Sequence, residues 1–168
     1  MTITYHVGDA VEPDLPGRLT IAHILSDTGA YGAGFARKIA TTYPRAKEQY
    51  IRWHRGDWSL HPFRLGAVQF VGVGREVRRG PWHGRWVANM VAQHGLRTRT
   101  NPHPLDLQSL AECLGELADD DEHVIVMPRI GCGLAGGTWA EVEPLINSIL
   151  YAKDVHVYDP DEMAMVPG

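Results

Sequence analysis

Cys113 and Cys132 are the only thiols in the 168-residue chain, and they stand nineteen positions apart with no C-x-x-C between them. That excludes the disulfide framework of small secreted domains and makes a reducing, cytoplasmic setting the expectation. No basic-then-apolar leader opens the chain, which points the same way. Long apolar runs are also missing. None approaches the ~20 residues needed to cross a bilayer, so a soluble protein without a membrane partner is expected. Nine histidines occur without H-E-x-x-H or paired cysteines, so no metal site and no cofactor is expected. Net positive charge is absent as well. A formal charge of −4 argues against sequence-independent binding to nucleic acid, which needs a basic face to displace counterions. The one basic cluster, Arg75, Arg78, Arg79 and Arg85, reads as a solvated loop, as do the segments around His61, His83 and His103. With no internal repeat, linker or composition break, residues 1–168 read as one domain, expected to be a monomer.

What the chain does contain is alternation. Short strands are expected at Ile3–Val7, Ala67–Val73, Trp86–Ala92 and Val155–Tyr158. LTIAHIL (Leu19–Leu25) and HVIVM (His123–Met127) are nearly continuous apolar runs, as strands buried on both faces require. Helical spacing covers Phe35–Thr42, Leu105–Leu117 and Trp139–Leu150. A further helix is expected from Pro44 to His54, since proline suits a first helical turn. Strands alternating with helices imply an α/β fold: a three-layer α/β/α arrangement around a mixed, mostly parallel sheet. In such sheets ligands gather at the carboxyl ends of strands.

Two glycine-rich loops leave from the two buried strands: Gly29-Ala30-Tyr31-Gly32-Ala33-Gly34 and Gly131-Cys132-Gly133-Leu134-Ala135-Gly136-Gly137. Glycine lets the backbone turn and lets a ligand approach its amides. A helix start supplies unpaired N–H groups and the positive end of a dipole, which favour phosphate. Two such loops at one sheet edge could grip a diphosphate from both sides. Neither continues as Gly-Lys-Ser/Thr, and no acidic residue follows at the distance a dinucleotide fold needs. Cys132 reads as a small packing residue, because nothing near it in sequence would depress its pKa. His23, inside a buried strand, fits a core hydrogen bond as well as a ligand contact. Trp139 reads as core.

With Gly8-Asp9, AHILSDTGAYGAGFA, VANMVAQHG and above all MPRIGCGLAGGTWAEV, the chain resembles the macrodomain family. The resemblance is to the branch that includes terminal ADP-ribose protein glycohydrolase and its bacterial and phage relatives. It implies ADP-ribose, or a protein carrying it, as the partner. It implies that Asp9 accepts the adenine amino group beside the backbone of Ala10, and that His23, Ser26 and Asp27 border the distal ribose. By the same resemblance Gly32, Ala33 and Gly34 meet the diphosphate and ribose, and Gly131, Cys132, Gly133 and Leu134 form the second diphosphate loop. Tyr158 or Asp159 flanks the adenine.

The pattern departs at two positions. Where those relatives carry an aspartate after Gly-Cys-Gly-Leu, this chain has Ala135. Where they carry a lysine at the end of the strand matching WVANMVAQH, it has Gln93 and His94. A covalent lysine route is therefore closed. The polar set left is Ser26, Asp27, Asn89, Gln93 and His94. It supports a water-mediated hydrolysis of ADP-ribosyl esters on Glu or Asp, with Asp27 as base or orienter and Gln93 or His94 polarising the ester. Two other activities stay open: reading ADP-ribose without turnover, and acting on O-acetyl-ADP-ribose or ADP-ribose-1″-phosphate.

Overall fold

A strand points its side chains alternately to opposite faces, so LTIAHIL needs apolar cover on both. The computed structural model, which describes residues 3–57, 61–73 and 84–160, supplies it. The elements run β1 (Thr4–Val7), β2 (Leu19–Ser26), α1 (Gly34–Thr42), α2 (Pro44–His54), β3 (Val68–Gly72), β4 (Arg85–Gln93), α3 (Leu107–Asp119), β5 (Val124–Met127), α4 (Trp139–Ile149) and β6 (Asp154–Asp159). Leu19, Ile21 and Leu25 pack with Ile39 of α1 and Tyr50 and Trp53 of α2. Ala22 faces the other way, onto Leu110 and Leu114 of α3 and Val142 and Ile146 of α4. The result is the expected three-layer α/β/α fold.

The sheet order is β1-β6-β5-β2-β4-β3. Every pairing is parallel except β3 with β4. At the carboxyl end of the β2–β4 pair the register shifts, so that Leu25 faces Val91 while Ser26 faces Gln93. Such a bulge re-aims strand ends, here next to the loop that follows β2.

Element bounds agree closely with the periodicity, with one instructive exception. Helix α3 begins at Leu107, not Leu105. The Leu105 N–H donates to Ala135 O at 3.0 Å, and Leu105 bridges to Gln93. Its backbone ties a loop to the sheet instead of starting a helix. Of the basic cluster, Arg75, Arg78 and Arg79 lie outside the described residues, as does His83. Arg85 opens β4 and donates to Pro13 O at 3.3 Å.

A fully buried polar cluster joins β2, β3, β4 and α2. Asn89 donates to Ala46 O (3.1 Å) and Gln69 Oε1 (3.0 Å), and its Oδ1 accepts from His23 Nε2 (2.7 Å) and the Tyr31 hydroxyl (2.8 Å). Asn89 was expected to meet a ligand; instead every polar atom of its side chain is consumed in the core. Replacing it strands several buried partners at once, each costing about 1–3 kcal/mol. The Asn89→Leu variant is therefore expected to lose about 2–4 kcal/mol of unfolding free energy in urea titration.

Candidate functional site

Strands β2 and β5 are neighbours at the sheet centre, and both glycine loops leave from their carboxyl ends. Between the loops lies a cleft of about 840 Å³, a size typical of small-molecule sites. Ser26 and Gln93 line it towards β4, while Asp159 and Pro160 line it towards β6. Because β4 and β6 flank the β5–β2 pair on opposite sides, the cleft has a β4 end and a β6 end.

The first loop forms one wall. Ala33, extended, is the N-cap of α1 and gives no side-chain cap. The first-turn amides of the helix therefore have no intrahelical partner. Among the described residues, the N–H groups of Tyr31, Gly32 and Ala33 likewise donate to no protein acceptor. Gly34 adopts φ +58°, the left-handed region where a side chain is strained. Tyr31 anchors this wall: its side chain is buried and its hydroxyl reaches Asn89.

The second loop folds on itself. Gly137 N–H donates to Gly131 O (2.8 Å) and Gly136 N–H to Gly133 O (3.0 Å). From outside, Leu105 N–H binds Ala135 O, and the His103 ring donates from Nδ1 to Gly136 O at 2.9 Å. His103 is thus a loop clamp. These bonds occupy the carbonyls of Gly131, Gly133, Ala135 and Gly136, while the amides of Gly133, Leu134 and Ala135 have no protein acceptor among the described residues. Gly131, at φ +77°, has no room for a side chain: an added Cβ would stand 2.9 Å from Leu105 Cδ2. Both loops that line the cleft thus carry unpaired N–H groups, one set at a helix start, and such groups favour an anion.

Of the residues expected at the site, His23, Ser26, Gly32, Ala33, Gly34, Gln93 and Gly131 to Ala135 all line the cleft. Five do not. Asn89 is core. Ala10 is buried among Val11, Ile21 and Tyr158. Asp9 is exposed next to the β6 end, its Oδ1 holding Val11 N–H at 2.9 Å. Tyr158 points to the α1/α2 side, stacks on His6 with centroids 4.5 Å apart, and donates to Asp14 Oδ1 at 2.8 Å; the cleft belongs to its neighbour Asp159. Asp27 lies off the cleft with both oxygens engaged, by Gly95 N–H (2.8 Å) and His94 Nδ1 (2.7 Å). It ties the ends of β2 and β4 together and is not a free base.

The titratable groups that do line the cleft are muted. Burial lowers the His23 pKa to about 4. Its Nε2 must carry the proton, since the Asn89 oxygen can only accept. Burial raises the Cys132 thiol and pushes the Tyr31 phenol far up, so neither is a nucleophile at neutral pH. Arg129 and Asp159, which the sequence reading did not pair, form a two-point ion pair: Nε to Oδ1 at 2.6 Å and Nη2 to Oδ2 at 3.0 Å. The available signal was position alone, one residue two places before the second loop and one at the end of the last strand.

Fold and cleft together define a three-layer α/β protein with a small-molecule site at the carboxyl edge of its sheet. No family model matches the chain. A macrodomain protein from Streptomyces coelicolor is 38% identical, covering 94% of this chain and 99% of its own, with a TM-score of 0.75. A protein from Bacteroides thetaiotaomicron is 35% identical over 94% and 99% of the two chains, with a TM-score of 0.81. The curated relative is ADP-ribose 1''-phosphate phosphatase from Lodderomyces elongisporus, 25% identical over 94% of this chain and 98% of its own. The chain belongs to the macrodomain family.

The buried His23 makes stability pH-dependent. The unfolded chain takes up a proton there below about 6.5, while the native state resists until about 4. This contribution is complete above pH 6.5 and is lost as pH falls towards 4, by about 1 kcal/mol between pH 7 and 5.5. Urea titrations at those two pH values are expected to show that loss in the wild type and its absence in His23→Leu.

Proposed function

We propose that the cleft binds ADP-ribose and that the protein hydrolyses ADP-ribose derivatives at the distal ribose, removing mono-ADP-ribose from Glu or Asp side chains. The observation that carries this reading is that two glycine loops with unpaired amides, leaving adjacent central strands, line one cleft. A diphosphate between them puts one nucleoside arm at the β6 end, near Asp9 and Asp159, and the distal ribose at the β4 end, near Ser26 and Gln93. The curated relative is named for a derivative phosphorylated on ADP-ribose, which supports hydrolysis at that arm.

Chemistry at the β4 end relies on placement. His23 is neutral and committed to Asn89, Asp27 is committed to His94 and Gly95, and Asp159 is committed to Arg129. Gln93 remains. Its Nε2 donates to Gly95 O at 3.1 Å, which fixes the amide plane at the cleft wall. In this role it orients a water, or polarises the ester carbonyl, of a bond already activated by its anomeric carbon. Ser26, whose Oγ accepts from Thr28 N–H at 3.0 Å, shapes the turn beside it.

Calorimetry with ADP-ribose tests the site, and a gel assay on Glu/Asp-, Arg- and Ser-linked ADP-ribose tests the reaction. Label is expected to leave the Glu/Asp-linked carrier alone. Gln93→Ala is expected to slow release at least tenfold while the ADP-ribose Kd stays within about threefold, the signature of an interaction made in the transition state. Binding with all three carriers stable for hours would instead make the protein a reader, a role to which the absence of a free base among the described cleft residues lends itself.

A further inference from the structure

We propose that the loop after β4, residues 94–101, docks an acidic segment of the carrier protein beside the modified side chain, a role that rests on the ADP-ribose reading above. Gln93 and Leu96 both line the cleft, at the end where that reading puts the distal ribose. A carrier attached to that ribose emerges next to residues 94–101. The loop is closed and anchored. Asn101 Nδ2 donates to His94 O and to Leu96 O, both at 3.0 Å, and the backbones of Thr98 and Asn101 exchange two bonds of 3.1 Å. Its base is tied to the end of β2 through Gly95 N–H and Asp27 (2.8 Å), and to the second glycine loop through Leu105 and His103. A loop so held presents Arg97 and Arg99 from fixed backbone positions, one and three residues beyond Leu96 and so within about 11 Å of it.

Charge decides what the loop takes. Arg97 and Arg99 are exposed, and neither side chain has an ion pair or a hydrogen bond among the described residues. Residues 94–105 hold these two arginines, two histidines and no acid. Residues 28–33 and 128–138, which carry the two glycine loops, hold no acid either. The longest acidic run, Asp119 to Glu122, precedes β5 and therefore stands at the opposite edge of the sheet. Charge is thus segregated in a chain of net −4, with two unanswered guanidinium groups beside the point where the carrier emerges. A guanidinium takes a carboxylate through paired N–H donors, and an aspartate or glutamate close to the modified residue supplies that partner. A nucleic-acid strand would answer the charge too, but its bases need rings to stack on. Among the described residues the exposed phenylalanine, tyrosine or tryptophan side chains are Tyr5 on β1 and Tyr151 after α4, while this loop exposes aliphatic Leu96. The loop therefore suits a peptide.

Two peptides test the docking, each joined to ADP-ribose through a stable amide in place of the ester, one with aspartates flanking the modified position and one with asparagines. Because the amide is not cleaved, their Kd values do not depend on turnover, which the gel assay reads separately. The wild type is expected to bind the aspartate peptide about three- to tenfold more tightly at low salt, the gain that two exposed charge pairs supply. That preference is expected to vanish in about 0.5 M NaCl, where such pairs are screened. Arg97→Gln with Arg99→Gln is expected to abolish it and Arg97→Glu with Arg99→Glu to invert it, while free ADP-ribose keeps its Kd within about twofold in both. Equal affinity of the wild type for the two peptides, or a preference that survives in the glutamine variant, overturns the docking role and leaves the ADP-ribose site standing. An ADP-ribosylated oligonucleotide that binds more tightly than the aspartate peptide overturns it in favour of a nucleic-acid carrier. If the wild type binds no free ADP-ribose, the functional reading falls first and the docking role with it.

Discussion

The Asn89 side chain is the fixed point of the molecule. One amide in the dry centre joins β2 through His23, β3 through Gln69, α2 through Ala46 and the first glycine loop through Tyr31. A hydrogen bond in such a place matters less for its net gain than for what its loss leaves exposed to no partner. The cluster also carries geometry outward. Tyr31 is both a core aromatic and the middle of the loop whose amides face the cleft, so the loop inherits the register of the sheet. A glycine-rich segment is thereby held rigid with its donors already aimed, and a ligand pays little ordering entropy on arrival.

Charge at the cleft follows one rule among the described residues: Asp27 already meets His94 and Gly95, Asp159 and Arg129 meet each other, and His23 stays uncharged through burial. The field a ligand meets is then dominated by oriented backbone dipoles, which neither titrate nor reorganise. On the ADP-ribose reading proposed above, an acidic chain would then hold a diphosphate without a cluster of lysines.

Most of the fold was legible because its signals are local. LTIAHIL and HVIVM declare two-sided burial, Pro44 declares a first turn, and the glycine loops declare themselves by composition. What failed were partnerships across the sheet. Strand alternation puts Asn89 on one face but says nothing of what stands opposite, and there Tyr31, His23 and Gln69 consume it. Tyr158 and Asp159 were equal candidates in sequence. The strand pleat sends the first to Asp14 and His6 and the second to the cleft. Asp27 looked like a free carboxylate because the amide that occupies it, Gly95, lies 68 residues away. Arg129 needed Asp159, a partner 30 residues away that only the folded β5–β6 pair brings beside it.

Leu134 carries a kinetic consequence. It is about half exposed, and its Cδ1 reaches to 3.4 Å from where a Cβ on Gly34 would stand, so the two loops meet above the cleft. Among the described residues, the contact between the two loops at the cleft is thus made by one leucine side chain. An exposed side chain changes rotamer in picoseconds to nanoseconds, far faster than loops or domains rearrange. This contact between the loops can therefore give way by a side-chain rotation, without a rearrangement of either loop.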